Sequence, residues 1–474
     1  MISLIIMLSY FEKSYTDGFF NVSKDNGFLP IKEPLKKLPK EYADLQNVID
    51  ELHVFQPDNK QGILAIGNLI ETKVSEIKNH IEIVKKEQDI FVLQALYRAY
   101  TFITSAYTLE LSYQEFIKSG TYGKARTTLP ENISVPLVEV SNKIKAYPWL
   151  DYHYAYSLGN YVKKDSSGSL DWKNLDMACK FTGTPDEIGF IMVHVYINEL
   201  TPKLVESVMD YGKTKTSSHL RTCAYTMEMI NKRRRDMWSA SRHERYNDFR
   251  IFIMGITGND SIFGDGLVYT GCYDNKPQKF RGQTGAQDSI IPMIDIFTGI
   301  VDYYPNNELT NYLLDLRSYR PVCIQEFFKD VREYYKTNPV FSELKKTKDY
   351  EGLVFLLKIV DEVYLFRNGH WQFVQKYIMS NTKYAFATGG TPITSWLINQ
   401  IEAVLEYEKT IIEYVNTNFS LELQNNELWT KLKNDYESKI NLLSSQIAEL
   451  AKSNYNVNLI YLKNSELKLE DSKL

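Results

Sequence analysis

The stretch YLFRNGHWQFVQKYI, residues 364–378, places a titratable ring among apolar and aromatic side chains. At helical spacing, His370 shares one stripe with Phe366, Phe373 and Tyr377, which predicts a helix whose histidine points into a core. A buried imidazole must satisfy two ring nitrogens or lose its solvation. A hydrogen-bonded core histidine is the commoner interpretation. A metal ligand is the alternative, because neutral imidazole is the commonest metal-binding side chain.

Gly369 precedes His370 and removes a side chain where a flat group could approach. Haem is flat, carries iron and is often held by a single proximal histidine. Which of the two interpretations of His370 holds therefore depends on the other groups that share its site.

A second histidine, His194, lies in the apolar stretch GFIMVHVYINEL. At helical spacing it shares a face with Phe190, Ile191 and Ile197. Taken alone, it is again more often a hydrogen-bonded core residue. Two such histidines on separate helices favour a shared buried site, with one histidine on a metal and the other near its open side.

Arg250 lies in NDFRIFIMG, beside Phe249 and Ile251. A guanidinium in such surroundings keeps its charge and needs an anionic partner. One alternative is a structural salt bridge to Asp248 or Glu244. The other is a fork that binds a substrate carboxylate, a geometry that arginine favours over lysine.

Arg367 lies one helical turn before His370. It could reach Asp295, which falls within the apolar helix that follows GQTGAQDS. Alternatively, it could pair with a haem propionate, which needs a cationic partner at the mouth of a pocket.

The stretch ATGGTPITSWL combines a hinge with a helix start. Thr391 and Pro392 form an N-cap and a first-turn proline, and Gly389 and Gly390 precede them. A plain connection between helices is one interpretation. The other is a lid over a site, in which Thr388 hydrogen-bonds a ligand.

The segment NKRRRDMWSASRHER, residues 231–245, is basic, and a nucleic-acid patch is one interpretation of it. Asp236 and Glu244 interrupt it, and the whole chain has a formal charge of −4. A solvated helix face is therefore predicted, and no nucleic-acid partner is expected.

Several function classes lack their motifs in this chain. The seven histidines form neither HxH nor HExxH, and there is no GxGxxG after a strand, no Walker P-loop and no GxSxG. The four cysteines show no CxxC spacing, which argues against a zinc ribbon or a disulfide framework and favours a reducing, cytoplasmic location. No segment reaches 18 uninterrupted apolar residues, so no membrane span is predicted.

The elements that must position these residues are helices. Glycine (23) and proline (15) are sparse among 474 residues, which favours an all-α protein of two or three domains. We expect a smaller N-terminal domain over residues 1–180, a larger helical domain over 181–400 and a helical extension over 401–474. In the extension, apolar residues recur at spacings of three and four, which predicts an amphipathic helix, a hairpin or a short coiled coil that packs on the body or on another subunit.

An ordered series of stretches resembles the indoleamine 2,3-dioxygenase family. The matching stretches are NISVPLVEVSNKI, YSLGNYVKKD, WKNLDM, GFIMVHV, FRIFIMGITGN, DGLVYTG, GQTGAQDS, RSYRP, HWQFVQKYI and TGGT. No one of them is diagnostic, but the order is specific, and residues after about 400 look like an addition. The resemblance implies an all-helical fold with a smaller N-terminal domain packed on a larger haem-binding domain.

The resemblance also implies a cofactor site. His370 stands where the family has the proximal ligand of haem b, and Arg367 stands where an arginine contacts a propionate. Asp295 matches the aspartate associated with that arginine. Thr284 and Gly285, in GQTGAQDS, are the further cofactor-binding residues that the resemblance implies.

The activity implied by the resemblance is cleavage of the indole C2–C3 bond of L-tryptophan or a related indoleamine with O2. The product is N-formylkynurenine, in the first step of the kynurenine pathway. Arg250 matches the arginine for the substrate carboxylate, and Phe190 matches an aromatic residue of the distal pocket. Thr388 and Gly389 belong to the mobile loop beside the amino acid portion of the substrate.

Two departures leave the substrate open. His194 replaces the serine of the well-known animal enzymes and looks like the distal histidine of tryptophan 2,3-dioxygenases. Arg245 stands where those enzymes have a pocket phenylalanine, unless the alignment slips by one and puts Tyr246 there. A haem monooxygenase of the same superfamily, acting on another indole or phenol, and a non-catalytic haem-binding protein therefore remain alternatives.

Overall fold

The structure is a computed structural model that describes residues 11–57, 60–304, 306, 308–379, 388, 396–452 and 461. Most of these residues are helical, and the strands among them are two or three residues long. The all-α class predicted from the sparse glycine and proline is therefore confirmed.

The helices before residue 180 surround one long, buried helix. In chain order they are α1 (Ala43–Glu51), α2 (Leu69–Ser75), α3 (Ile81–Val84), α4 (Ile90–Ser119) and α5 (Glu131–Ile144). Helix α4 begins at Asp89, whose carboxylate accepts a hydrogen bond from Phe91 N at 2.8 Å. It ends at Gly120, which adopts the left-handed conformation (φ +75°) that glycine allows at a helix end.

The helices after residue 180 build the part of the fold that holds the cavity described below. They are α6 (Pro185–Asn198), α7 (Thr201–Thr214), α8 (Ser217–Arg234), α9 (Met237–Ala240), α10 (Asn247–Arg250), α11 (Asp260–Phe263), α12 (Ile290–Thr298), α13 (Glu308–Asp315), α14 (Val322–Thr337), α15 (Val340–Thr347), α16 (Tyr350–Phe373), α17 (Trp396–Asn418) and α18 (Glu427–Lys452).

Five short strands complete the described elements. They are β1 (Thr128–Leu129), β2 (Tyr161–Lys163), β3 (Leu175–Met177), β4 (Leu267–Tyr269) and β5 (Pro277–Gln278). Strand β4 pairs in parallel with β1 and antiparallel with β5, and β2 pairs antiparallel with β3. These ladders fix loops at the edges of the helical body.

Helix α16 is the central element of the larger part. It begins at Asp349, whose carboxylate accepts a hydrogen bond from Gly352 N at 2.8 Å. It packs against α8 and α17 along its length. A π-helical turn (Val374–Met379) continues α16. His370 lies in the last turn of α16, just before this change of helix type.

The residues after 400 form a helical hairpin, α17 and α18, against α16. Leu432, Ile440 and Leu443 of the predicted apolar stripe are buried within the same chain. The apolar stripe is thus buried against the rest of the same chain. Self-association through the C-terminal helix stays a prediction, which light scattering can test.

One hydrophobic core cluster contains residues from both sides of the predicted boundary near residue 180. The division into domains therefore stays a prediction. Within the described ranges, no helix is both long and apolar enough to cross a membrane.

Candidate functional site

A cavity of about 320 Å³ lies between α6, the end of α16 and the loops that precede α12 and α14. Its wall is mainly apolar, with a few polar groups. The predicted site residues that line it are Phe190, His194, Tyr246, Thr284, Gly285, Asp295, Arg367, His370 and Thr388. The fold thus brings together residues that are as far apart in sequence as Phe190 and Thr388.

The side chain of His370 is exposed to this cavity, although the ring lies deep in the protein. No atom of the described residues hydrogen-bonds the ring, so the structure does not support a satisfied core histidine. Burial, with contributions from Arg234 and His194, lowers the pKa of His370 to about 4. The ring is therefore neutral near pH 7, which is the form that binds a metal.

His194 projects from α6 into the same cavity. Its Nδ1 lies 3.1 Å from the carbonyl oxygen of Phe190, and a carbonyl can only accept, so Nδ1 carries the proton. Burial lowers the pKa of His194, which keeps the ring neutral. The other nitrogen, Nε2, is then a hydrogen-bond acceptor, and a β-carbon added to Gly285 would lie 3.8 Å from it.

The guanidinium of Arg367 is hydrogen-bonded to three neighbouring residues. Its Nη2 donates to Asp295 Oδ2 at 2.6 Å and to the Tyr304 hydroxyl at 3.0 Å. Its Nη1 donates to the carbonyl oxygen of Gln400 at 2.9 Å. The predicted contact between Arg367 and Asp295 is thus present, and the aspartate balances the charge of the arginine.

Thr284 and Gly285 form the start of a short turn at the cavity wall. The Thr284 side chain accepts a hydrogen bond from Ala286 N at 3.4 Å, and Thr284 N donates to Gln287 Oε1 at 3.3 Å. This reciprocal capping box fixes the turn and leaves Gly285 facing His194.

Arg250 is fully buried but is not among the residues that line the cavity. Its Nη1 donates to the Tyr122 hydroxyl at 3.4 Å, and its guanidinium also contacts the Tyr246 hydroxyl. Burial raises the pKa of Tyr246 to about 12, against the opposing effect of Arg250. Arg250 thus lies directly behind the cavity wall that Tyr246 forms.

Arg245, which the sequence placed in the pocket, is not among the described residues that line the cavity. Arg245 is 43% exposed and pairs with Asp248 at 2.8 Å on the outer face. Tyr246, four residues before Arg250, lies on the inner face instead. The pairing also removes Asp248 from the salt bridge that was an alternative for Arg250.

Thr388 is held in the wall by two hydrogen bonds. Its hydroxyl donates to the carbonyl oxygen of Gln283 at 2.8 Å, and its own carbonyl accepts from Gly255 N at 2.8 Å. Gly389 and the rest of the predicted lid, with its helix start at Thr391, lie outside the described residues.

Sequence reasoning missed Arg234, which it placed on a solvated helix face. The structure buries Arg234 in the cavity wall, with its guanidinium 5.2 Å from the Phe366 ring and 5.3 Å from the Phe373 ring. A β-carbon at Gly369 would lie 2.1 Å from Arg234 Nη2. Gly369 therefore makes room for this arginine and is not among the residues that line the cavity, so the approach of a flat ligand at Gly369 stays a prediction.

A signal for Arg234 was present in the sequence. Cys223, Met227, Ile230 and Arg234 recur at spacings of three and four, and all four are buried. The run of positive charge concealed the fact that Arg234 continues an apolar stripe. Arg317 and Arg320, in the stretch RSYRP, also line the cavity and received no role from the sequence.

These residues fit haem. Within the described ranges, no group of three or more His, Cys, Asp or Glu side chains could hold a metal ion alone. A single unpaired imidazole suits haem, because the porphyrin supplies the other in-plane ligands. The apolar lining suits the ring, and the arginines at its edge suit propionates.

Comparison with known proteins identifies the family of the chain. The chain is 25% identical to indoleamine 2,3-dioxygenase 1 of Rattus norvegicus over 377 residues, which cover 77% of this chain and 85% of the rat protein. It is 26% identical to indoleamine 2,3-dioxygenase of Saccharomyces cerevisiae over 398 residues, covering 76% and 80% of the two chains. The sequence profile described as indoleamine 2,3-dioxygenase matches residues 17–406. Because that match spans most of the chain, the protein belongs to the indoleamine 2,3-dioxygenase family.

Proposed function

We propose that the protein is a haem-dependent dioxygenase that cleaves the C2–C3 bond of L-tryptophan, or of a related indoleamine, with O2 to give N-formylkynurenine. The observation that carries the proposal is the unpaired His370 ring, which faces a cavity that His194 also lines. Both histidines line the same cavity, which is required if one binds the iron and the other lies near the open side of the site.

The cofactor would be held by His370 through a neutral imidazole, with Thr284 and Gly285 at the wall. When bound, haem supplies the binding and activation of dioxygen. The protein supplies position, polarity and exclusion of water, and the remaining side chains are best understood in those terms.

His194 would accept a hydrogen bond from the indole N–H of the substrate. Its Nδ1 proton is used by the Phe190 carbonyl, which leaves Nε2 with a lone pair facing the cavity. A neutral ring in this tautomer cannot donate a hydrogen bond from Nε2, and this favours the role of His194 as an acceptor for the indole N–H.

Phe190 and Tyr246 would hold the flat part of the substrate. Their ring centroids are 4.9 Å apart, and both rings line the cavity. An indole ring placed against these two side chains would add offset or edge-to-face aromatic contacts, which stabilise the bound substrate.

The amino acid portion would lie where Tyr246 and Thr388 meet the cavity. Arg250, directly behind Tyr246, gives this part of the wall a positive potential that is strong in buried surroundings, which favours the substrate carboxylate. The Thr388 hydroxyl donates to Gln283 and retains lone pairs that can accept from the substrate ammonium.

The cytoplasm is the proposed location. The four cysteines are free, and three of them are buried. Free thiols are stable in a reducing compartment, which is consistent with an intracellular enzyme.

The test supplies haem to the purified protein and follows its absorption spectrum with L-tryptophan, then the product formed under labelled dioxygen. Two labelled oxygen atoms in N-formylkynurenine would support the proposal. One labelled atom in a hydroxylated product would favour the monooxygenase alternative. A Soret band without a response to tryptophan and without oxygen uptake would favour a non-catalytic haem protein. His370→Ala serves as the control for haem that is bound elsewhere.

A further inference from the structure

The segment just before α14 brings two arginines to the cavity. Arg317 lies on a 3₁₀ turn (Leu316–Tyr319), and Arg320 follows it. Both residues line the cavity. Because neither was given a role by the motifs or by the proposed function, their partners decide what they do.

Arg320 is 3% exposed and only partly hydrogen-bonded. Its Nη2 donates to the carbonyl oxygens of Ala286 at 3.2 Å and Asp288 at 2.9 Å. Its Nε and Nη1 have no hydrogen-bond partner among the described residues. Burial, with Arg317 nearby, lowers the pKa of Arg320 to about 9, so the group remains charged at neutral pH.

The guanidinium of Arg317 has no hydrogen bond to any residue that the structure describes. Burial lowers its pKa, which indicates that solvent does not compensate its charge fully. The carboxylate of Asp295, whose field reaches Arg317, is already paired with Arg367 at 2.6 Å.

The carboxylate of Asp288 acts on Arg320 through its charge, but its oxygens are hydrogen-bonded to other groups. Asp288 Oδ2 accepts from the Tyr152 hydroxyl at 2.7 Å and from Asn198 Nδ2 at 2.8 Å. Asp288 Oδ1 accepts from Ile290 N at 2.8 Å. Within the described ranges, neither Arg317 nor Arg320 has a carboxylate within 4.0 Å, whereas Arg367 does.

A buried cation without a carboxylate in direct contact is costly, and an anionic ligand removes that cost. We propose that Arg317 and Arg320 form a further carboxylate-binding site of this cavity, in addition to Arg367 and to the wall beside Arg250. The proposal rests on the proposed function for its ligands, since haem carries two propionates and the substrate one carboxylate. The planar fork of arginine suits either. A propionate is favoured, because the field of Arg317 reaches Tyr304 and Asp295 at the edge that Arg367 shares.

The test measures binding of ferric haem, and of its dimethyl ester, to the apoprotein by absorption titration. We expect the Arg320→Met variant to bind haem about 10- to 100-fold more weakly, the range set by a hydrogen bond to a charged group. The ester should bind the variant and the wild type equally. Arg317→Met should show the same pattern with a smaller change, and Arg320→Lys should recover part of the affinity. Arg221→Met, at an exposed arginine paired with Glu351, is the matched control.

A second arm identifies the source of the carboxylate. Holoprotein is titrated with L-tryptophan and with tryptamine, which lacks the carboxylate. If the variants bind haem normally but lose affinity for tryptophan and not for tryptamine, the site takes the substrate. Equal affinities for all four ligands in folded variants, checked by thermal melting, would overturn the proposal.

The outcomes for the site and for the activity are separable. A haem preference over the ester that disappears in Arg320→Met, without any N-formylkynurenine, supports the carboxylate site and overturns the proposed function. If tryptophan is turned over but the variants bind every ligand as the wild type does, the proposed function is supported and the carboxylate site is overturned. A wild-type protein that binds neither haem nor tryptophan overturns both.

Discussion

Lys439 Nζ, on the last helix α18, lies 2.6 Å from the carboxylate of Asp361 on α16, the helix that carries His370. The same ammonium lies 2.8 Å from Glu408 on α17. Further along, Gln446 donates to Asn368, two residues before His370, at 2.9 Å. The C-terminal addition, most of which lies beyond the family match, is thus fastened to the helix that presents the candidate ligand.

Replacing Lys439 should destabilise the fold strongly. In Lys439→Met, the carboxylates of Asp361 and Glu408 stay buried without their cation, and breaking one side of a buried ion pair costs about 3–5 kcal/mol. Urea unfolding at pH 8 measures this loss in the free energy of unfolding. Lys431→Met is the matched control, because Lys431 is 67% exposed on the same helix and pairs with Asp435. It should cost less than about 1 kcal/mol.

The loss in Lys439→Met should also depend on pH. Burial raises the pKa of Glu408 to about 7 even with Lys439 present. A carboxyl whose folded pKa is raised contributes stability that is fully present below its ordinary pKa, falls as the pH rises toward about 7 and is lost above that value. Without Lys439 this loss of stability grows, and we expect a larger destabilisation at pH 8 than at pH 5. An equal loss at both values would contradict the assignment.

His370→Ala should abolish haem retention. The ring is the one imidazole on the described wall that has no hydrogen-bond partner, so its removal leaves the iron without its protein ligand. The measurement is the Soret absorbance per protein after gel filtration. His219→Ala, on α8 and away from the cavity, should retain the wild-type haem content. A normal haem content in His370→Ala would remove His370 as the ligand.

His194 should discriminate between substrates that have an indole N–H and those that lack it. Wild type should bind L-tryptophan at least about tenfold more tightly than N1-methyl-tryptophan, since the methyl group removes the donor for Nε2. In His194→Ser the preference should shrink. If the variant kept the full preference, the acceptor role of His194 would be wrong.

The same acceptor role predicts how tryptophan binding responds to acid. The pKa of His194 is lowered by burial, so protonation requires a pH below its ordinary value of about 6.5. Tryptophan affinity should therefore be flat above pH 6.5 and fall only at lower pH, when Nε2 gains a proton. His194→Ser should lose this fall.

Helical periodicity predicted the parts of the site that lie on regular helices. The stripe through His370, the face that carries His194 and the turn from Arg367 to His370 each follow from the spacing along one helix. The contact of Arg367 with Asp295 was one of two alternatives that the sequence left open for this arginine, and the resemblance named the same pair. No spacing within one segment determines which two helices meet.

The residues that the sequence missed are of two kinds. Some lie outside regular helices, where periodicity predicts nothing, and one is a charged residue on an apolar helical stripe. Arg317 and Arg320 sit on a turn, so their direction depends on tertiary packing alone. Arg245 and Tyr246 are neighbours on a helical turn, and only the structure shows which of them faces inward. Arg234 lies at a buried position of the apolar stripe although it is charged. The prediction followed its charge and therefore placed it on the solvated face.

Arg250→Met should separate a role in binding the substrate carboxylate from a purely structural one. We expect the KM for L-tryptophan to rise about tenfold or more, with the haem content unchanged and the KM for tryptamine little affected. Arg245→Met, at the exposed arginine nearby, should change neither KM. Equal effects of Arg250→Met on both substrates would show that Arg250 only supports Tyr246.

Gly369→Ala should destabilise the protein, against the usual preference of a helix for alanine. The added β-carbon would lie 2.1 Å from Arg234 Nη2 and would displace a guanidinium that donates to the carbonyl oxygen of Leu365 at 3.3 Å. In an Arg234→Met background the conflict is with a more adaptable side chain, and the substitution should become neutral or stabilise by up to about 1 kcal/mol. Unfolding of the four proteins of this cycle gives the coupling between positions 234 and 369. A coupling near zero would mean that Gly369 does not accommodate Arg234.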